Sequence, residues 1–117
     1  MFSPEDFVYY DLQRRHKSGQ IDLLFPAWKA GEERLAIFCP HDDDGILGAG
    51  YALLAAQANG AEVYVCIFCD GRAGYSSLEE KDTIVAIRKR ESQAAYEALG
   101  VPAEHIIRFD YPDFSVS

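Results

Sequence analysis

Apolar positions in the middle of the chain fall into short runs separated by helically spaced stretches. Leu35, Ala36, Ile37 and Phe38 form a run rich in strand formers that ends at Cys39 and Pro40. Beyond it, Ile46, Leu47, Ala49, Leu53, Leu54 and Ala58 recur at helical intervals, with glycines at 45, 48 and 50 among them. Small residues there suit a helix whose first turn lies close against a neighbouring strand. Asn59 and Gly60 make a usual helix exit. Glu62 to Phe68 is apolar nearly throughout, which predicts a strand buried on both faces. Strand, helix and strand in succession predict a parallel unit with a right-handed crossover.

The flanking segments extend this pattern. Ser77 with Glu80 forms a capping box that opens a long helix, and Gly100 closes it. The helix has an apolar face of Ile84, Ile87, Ala94, Ala95 and Ala98, and Glu91 falls inside it. An acid in a buried stripe needs a partner. Arg88 is within reach, either as an ordinary ion pair or as a side chain that Glu91 braces toward a ligand. Ile106 to Phe109 reads as a third strand, with His105 at its amino end on the surface. At the other terminus Ser3, Pro4 and Asp6 signal a helix start, and Phe7, Val8, Tyr10 and Leu12 carry the helix to about His16. Ile21 to Lys29, interrupted by Pro26, packs on the body of the domain. The fold class is α/β, a Rossmann-like parallel sheet with flanking helices. It divides into an N-terminal helical extension over 1–33 and a motif-bearing region over 34–114 of one domain. Three strands amount to half of a doubly wound sheet, with nothing after the last strand to cover its far side.

Composition narrows the partners. A chain of 117 residues makes one domain at most. Eleven basic against nineteen acidic residues give a formal charge of -8, which excludes a broad nucleic-acid footprint or adhesion to an anionic membrane. A small-molecule substrate fits better. No apolar run reaches the ~18 residues of a membrane span, and the start lacks the order of a signal peptide, so a cytoplasmic location is the expectation. Cys66 and Cys69 spell C-x-x-C, but three residues apart on a strand they point to opposite faces. Buried reduced thiols are expected.

The candidate chemistry sits where the first strand meets its helix. His41, Asp42, Asp43 and Asp44 follow Pro40 directly, and such strand-to-helix turns are where parallel α/β folds bind ligands. Three carboxylates in a row repel one another, and a helix start offsets only ~0.3 to 1 kcal/mol for each. A cation would offset the repulsion better. His41 and Asp44 are three apart, so one turn can aim both at a single ion, and zinc accepts an imidazole nitrogen and a carboxylate oxygen together. Asp43 between them is free to act as a base. The alternative is a solvated acidic turn in which Asp43 or Asp44 caps the helix. Asp70, after the second strand, falls on the same edge of the sheet.

Several ordered features together resemble the N-terminal half of the LmbE-like (PIG-L) deacetylases. They are Pro40 to Asp44, Leu47-Gly48-Ala49-Gly50, Asp70-Gly71, Arg88-x-x-Glu91 before Ala94-Ala95, Leu99-Gly100-Val101 and Tyr111-Pro112-Asp113. The resemblance implies a Rossmann-like, zinc-dependent amidohydrolase that removes acetyl from N-acetylglucosamine-type conjugates. It makes His41 and Asp44 ligands of Zn2+, Asp43 the general base, and Arg88 and Asp113 contacts to the sugar. The family's His-Pro-Asp-Asp-Glu motif is altered here, with Asp42 in place of proline and Gly45 in place of glutamate. The family's third ligand comes from a His-x-x-His-like segment in its C-terminal half, and nothing after Asp113 matches it. The expectation is therefore an incomplete site, completed by a missing C-terminal segment or by a homo-oligomer. Two rival readings stand beside this one. His41-x-Asp43-x-Gly45 also resembles DHH-type phosphoesterases, which would use manganese, and a non-catalytic remnant or binding domain could keep the half-site without its chemistry.

Overall fold

The structure is a computed structural model that describes residues 2–41, 44–69 and 78–111. Its chain divides into two compact units, one of Met1–Leu35 with Tyr51–Val63 and one of Ala36–Gly50 with Tyr64–Ser117.

In the first unit the expected N-terminal helix is a hairpin instead. The capping box at Ser3 forms, with the Ser3 backbone N–H donating to Asp6 Oδ2 at 2.8 Å. It caps only a 3-10 turn over Pro4–Asp6, after which Phe7 is already extended at φ -119° and ψ 144°. Strand β1 (Tyr9–Asp11) then pairs antiparallel with β2 (His16–Ser18). Burial explains the outcome. Phe7 and Tyr9 are buried while Val8 and Tyr10 are exposed, a period of two that suits a strand and not a helix. Within the turn, Asp11 Oδ1 accepts from the backbone N–H groups of Gln13 and Arg14, and Arg15 takes a left-handed φ of 52°. His16, expected near a helix end, is exposed on β2.

Ile21 opens a 3-10 turn over Ile21–Leu23 and joins Phe7, Tyr9 and Ala55 in a buried cluster, against which Leu23, Trp28, Leu54 and Ala58 pack. As expected, part of the 21–29 stretch packs inward, but Leu24 and Phe25 remain about half exposed. The Trp28 indole N–H donates to the Asn59 carbonyl at 3.0 Å, and the Tyr51 hydroxyl bonds both the N–H and the carbonyl of Val8. Gly31 and Gly60, at φ 85° and 84°, meet through a Gly31 N–H to Gly60 carbonyl bond of 2.9 Å.

The main sheet is the expected parallel one. Its strands β3 (Arg34–Cys39), β4 (Glu62–Cys69) and β5 (Ile106–Tyr111) lie in the order β3-β4-β5. Helices α1 (Asp44–Ala58) and α2 (Leu78–Ala98) make the connections. Among the described residues, the expected close approach of the α1 glycines to a strand is absent at Gly48 and Gly50, where an added Cβ would meet nothing within 4 Å. They flank Ala49, whose φ of -137° and ψ of 15° break the helical path.

In the second unit α2 lies over one face of the sheet. Cys39, Val65, Ile67 and Cys69 are buried on that face, and Cys39 Sγ is 3.9 Å from the Tyr96 hydroxyl. The stripe that α2 buries is Val85, Ser92 and Tyr96, not the face expected from Ile87, Ala94, Ala95 and Ala98. Ile87, Glu91, Ala94 and Ala98 are exposed, while the side chain of Ile84 lies outside the described residues. Tyr96 decides the rotation, because its large ring yields far more on burial than the alanine methyls. Glu91 therefore needs no buried partner. The expectation for β4 holds fully on one face and in part on the other, where Cys66 is buried but Tyr64 and Phe68 are half-buried. His105, expected on the surface, is half-buried and stacks on Tyr64 with ring centroids 4.0 Å apart. All three cysteines are buried and none is in a disulfide.

Candidate functional site

The carboxyl ends of the three strands are stitched into one edge. The Cys69 N–H donates to the Pro40 carbonyl at 2.9 Å, which ties the end of β4 to the residue after β3. Cys69 in turn pairs with Tyr111, the last residue of β5. His41 follows Pro40 and is exposed, and Asp44 is the first residue of α1. His41 and Asp44 thus stand on either side of residues 42–43, between the end of β3 and the start of α1. Asp42, Asp43, Asp70 and Asp113 lie outside the described residues, as does the side chain of Asp44.

Arg88 is exposed on α2. Its neighbour Lys89 places that turn of the helix: Lys89 Nζ is 2.6 Å from Asp110 Oδ1, level with the carboxyl end of β5. One turn further on, Arg108 Nη2 donates to Ser92 Oγ at 2.6 Å and to the Lys89 carbonyl at 3.2 Å. These contacts fix α2 against β5 and bring the Arg88 backbone toward the edge where the strands end.

Lys89 and Asp110 were not singled out by the sequence pattern, yet they shape this edge. Between Ile67 and Cys69 the ladder is irregular: Ile67 faces Arg108, whereas Cys69 faces Tyr111. β5 therefore carries one extra residue, a bulge, with Asp110 at a left-handed φ of 57°. Aspartate tolerates that conformation better than most side chains, and a bulge re-aims the residues that follow. The only available signal was an aspartate shortly before Tyr111-Pro112, and that is a weak one.

The donor types present suit a divalent ion. An exposed imidazole at a strand end and a carboxylate residue opening the next helix are a mixed nitrogen and oxygen set that zinc accepts. Among the described residues, no three His, Cys, Asp or Glu side chains gather to hold a metal, so a third donor would come from outside them. Also among the described residues, no helix is long and apolar enough to cross a membrane.

A three-stranded parallel sheet connected by two helices, with His41 just past the end of its first strand, defines a Rossmann-like α/β protein. Residues 36–117 match the PIG-L family, described as GlcNAc-PI de-N-acetylase, and the chain belongs to that family. Its structure is similar to that of N,N'-diacetylchitobiose deacetylase from Pyrococcus horikoshii, solved in complex with its inhibitor MPG, at 26% sequence identity and a TM-score of 0.64. The similarity covers 73% of this chain and 32% of that one, so this chain spans about a third of the relative's length. No curated protein matches by sequence.

Proposed function

We propose that the chain carries the N-terminal part of the active site of a zinc-dependent deacetylase acting on N-acetylglucosamine-type conjugates. The observation that carries this reading is the family match over residues 36–117, which brackets the His41-x-x-Asp44 junction at the ligand edge of the sheet. His41 and Asp44 would hold the ion, and a bound Zn2+ would supply a Lewis acid and acidify water to a pKa near about 7. Asp43 takes a proton from the attacking water and returns it to the leaving amine. Arg88 and Asp113 orient the sugar by hydrogen bonds to its hydroxyls. A formal charge of -8 accords with a small glycoconjugate as the partner and not with a nucleic acid.

The test is acetate release from an N-acetylglucosamine conjugate, measured on the zinc-loaded protein and on Asp43→Asn. Loss of at least about a hundredfold in turnover with metal content unchanged is the expected result, in line with removal of a general base. Loss of the metal in Asp43→Asn would make Asp43 a ligand and overturn the assignment. Zinc bound with no acetate released, even by the longest natural form of the protein, would show a binding domain instead of an enzyme.

A further inference from the structure

The first unit holds an apolar cavity that the proposed chemistry does not use. Its volume is about 130 Å³, and carbon alone lines it. The floor is the buried surface of Tyr9, Ile21, Ala55 and Ala56. At the mouth Leu24, Phe25 and Tyr51 are 45%, 49% and 55% exposed, so a molecule in solution has a way in. Three of the lining rings carry a polar group, and each of those groups is committed elsewhere. The Tyr9 hydroxyl accepts from Asn59 Nδ2 at 3.2 Å, and the Trp28 indole N–H donates to the Asn59 carbonyl. The Tyr51 hydroxyl is spent on the N–H and the carbonyl of Val8, at 2.7 and 3.0 Å.

Size and chemistry together select the occupant. Water in the cavity would find no hydrogen-bond partner, and a polar group of a ligand would be desolvated there without compensation. An apolar cavity of about 150 Å³ lined by Leu, Ile and Phe admits benzene, and this one is close to that size. Cavities for drug-sized molecules start at roughly 300 Å³, and a stable protein interface buries roughly 800 Å² on each side. Neither a large ligand nor a protein surface is matched by so small a space, whereas one ring is. Phe25 and Trp28, with centroids 5.7 Å apart and planes tilted by 44°, present a ring face and a ring edge to such a guest.

We propose that this cavity binds an uncharged aromatic molecule one ring in size, at a site independent of the His41–Asp44 chemistry. Trp28 is the only tryptophan of the chain and lines the cavity, so its fluorescence reports occupancy. Iodobenzene, whose iodine quenches indole emission on contact, would be titrated into the full chain. Saturable quenching is the expected result, reversed by benzene and at least tenfold less well by pyrazine, a ring of the same size whose two opposed nitrogens the cavity cannot pair. Ala52→Leu, at an exposed position that also lines the cavity, should weaken binding at least tenfold by filling the space, and Ala55→Leu should do so from the floor. Unchanged circular dichroism checks that both variants fold, and Leu12→Lys, away from the cavity, should bind as the unmodified chain does. Quenching that rises without saturation, equal competition by pyrazine, or binding indifferent to both leucines would overturn the proposal. So would a dimer of the chain that iodobenzene dissociates, in favour of a side chain from a second copy.

Discussion

Replacing Gly60 with alanine should be among the most damaging single-methyl changes in the first unit, and Gly31→Ala provides its control. Both glycines adopt nearly the same left-handed backbone, φ 84° and 85°. An alanine at either position therefore incurs the same conformational penalty of ~1 to 2 kcal/mol, and the same small gain from a stiffer unfolded chain. Their surroundings differ. A Cβ at Gly31 meets nothing within 4 Å, whereas one at Gly60 would lie 2.8 Å from the Gly31 nitrogen and 3.1 Å from Ala30 Cβ. That nitrogen also donates the hydrogen bond to the Gly60 carbonyl, so backbone cannot retreat without losing it. Overpacking of this sort costs ~1 to 3 kcal/mol, and the strained hydrogen bond ~0.5 to 1.5 kcal/mol more. Gly60→Ala should therefore exceed Gly31→Ala by about 2 to 3 kcal/mol. With a urea dependence of ~1 to 3 kcal/mol per molar, the unfolding midpoint should fall by about 1 M further. Equal midpoint shifts for the two variants would refute the argument, because only the steric contact distinguishes them.

Other predictions follow from the same contacts. Asp110→Ala should destabilise by about 1 to 2 kcal/mol more than Asp110→Gly, since both lose the partly exposed Lys89 pair, worth ~0.2 to 1 kcal/mol, but only alanine resists the left-handed φ; urea midpoints of the two variants read the difference. Tyr96→Ala should cost ~3 to 5 kcal/mol as a fully buried ring is emptied from under α2, again measured by urea unfolding. Burial pushes the Tyr9 phenol above its ordinary value of 10.0, opposed by the hydrogen bond from Asn59 and aided by Tyr51. A phenol with a raised folded value stabilises the protein fully below the unfolded value, and this contribution is lost as pH rises through the folded one. Stability of the unmodified protein should thus decline on alkalinisation through about pH 10 more steeply than that of Tyr9→Phe, and parallel declines would count against it.

The middle of the chain was legible because its local signals agree. The run ending at Cys39, the turn at His41, the exit at Asn59-Gly60 and the apolar strand from Glu62 all point to one parallel unit. The N-terminus misled because a genuine capping signal at Ser3 is used for a single turn. The alternation of buried Phe7 and Tyr9 with exposed Val8 and Tyr10 wins over it. On α2 the alanines and Ile87 suggested a face, but Tyr96 and Val85 set the rotation, and only the sheet beneath them reveals that choice. The bulge at Asp110 could not be read from sequence, because an aspartate's left-handed backbone is dictated by the register of β5 against β4 and by the Lys89 contact. The junction that carries His41 and Asp44 was readable, since ligand edges of parallel sheets are fixed by topology before any side chain is placed.

The central claim is that His41 and Asp44 share one divalent ion at that edge, and calorimetric titration of Zn2+ into the purified chain tests it most directly. Saturable uptake of one ion per chain is predicted, lost in His41→Ala and in Asp44→Ala and kept in Asp43→Asn. Uptake that survives both alanine substitutions, or none in the unmodified chain, would contradict the account.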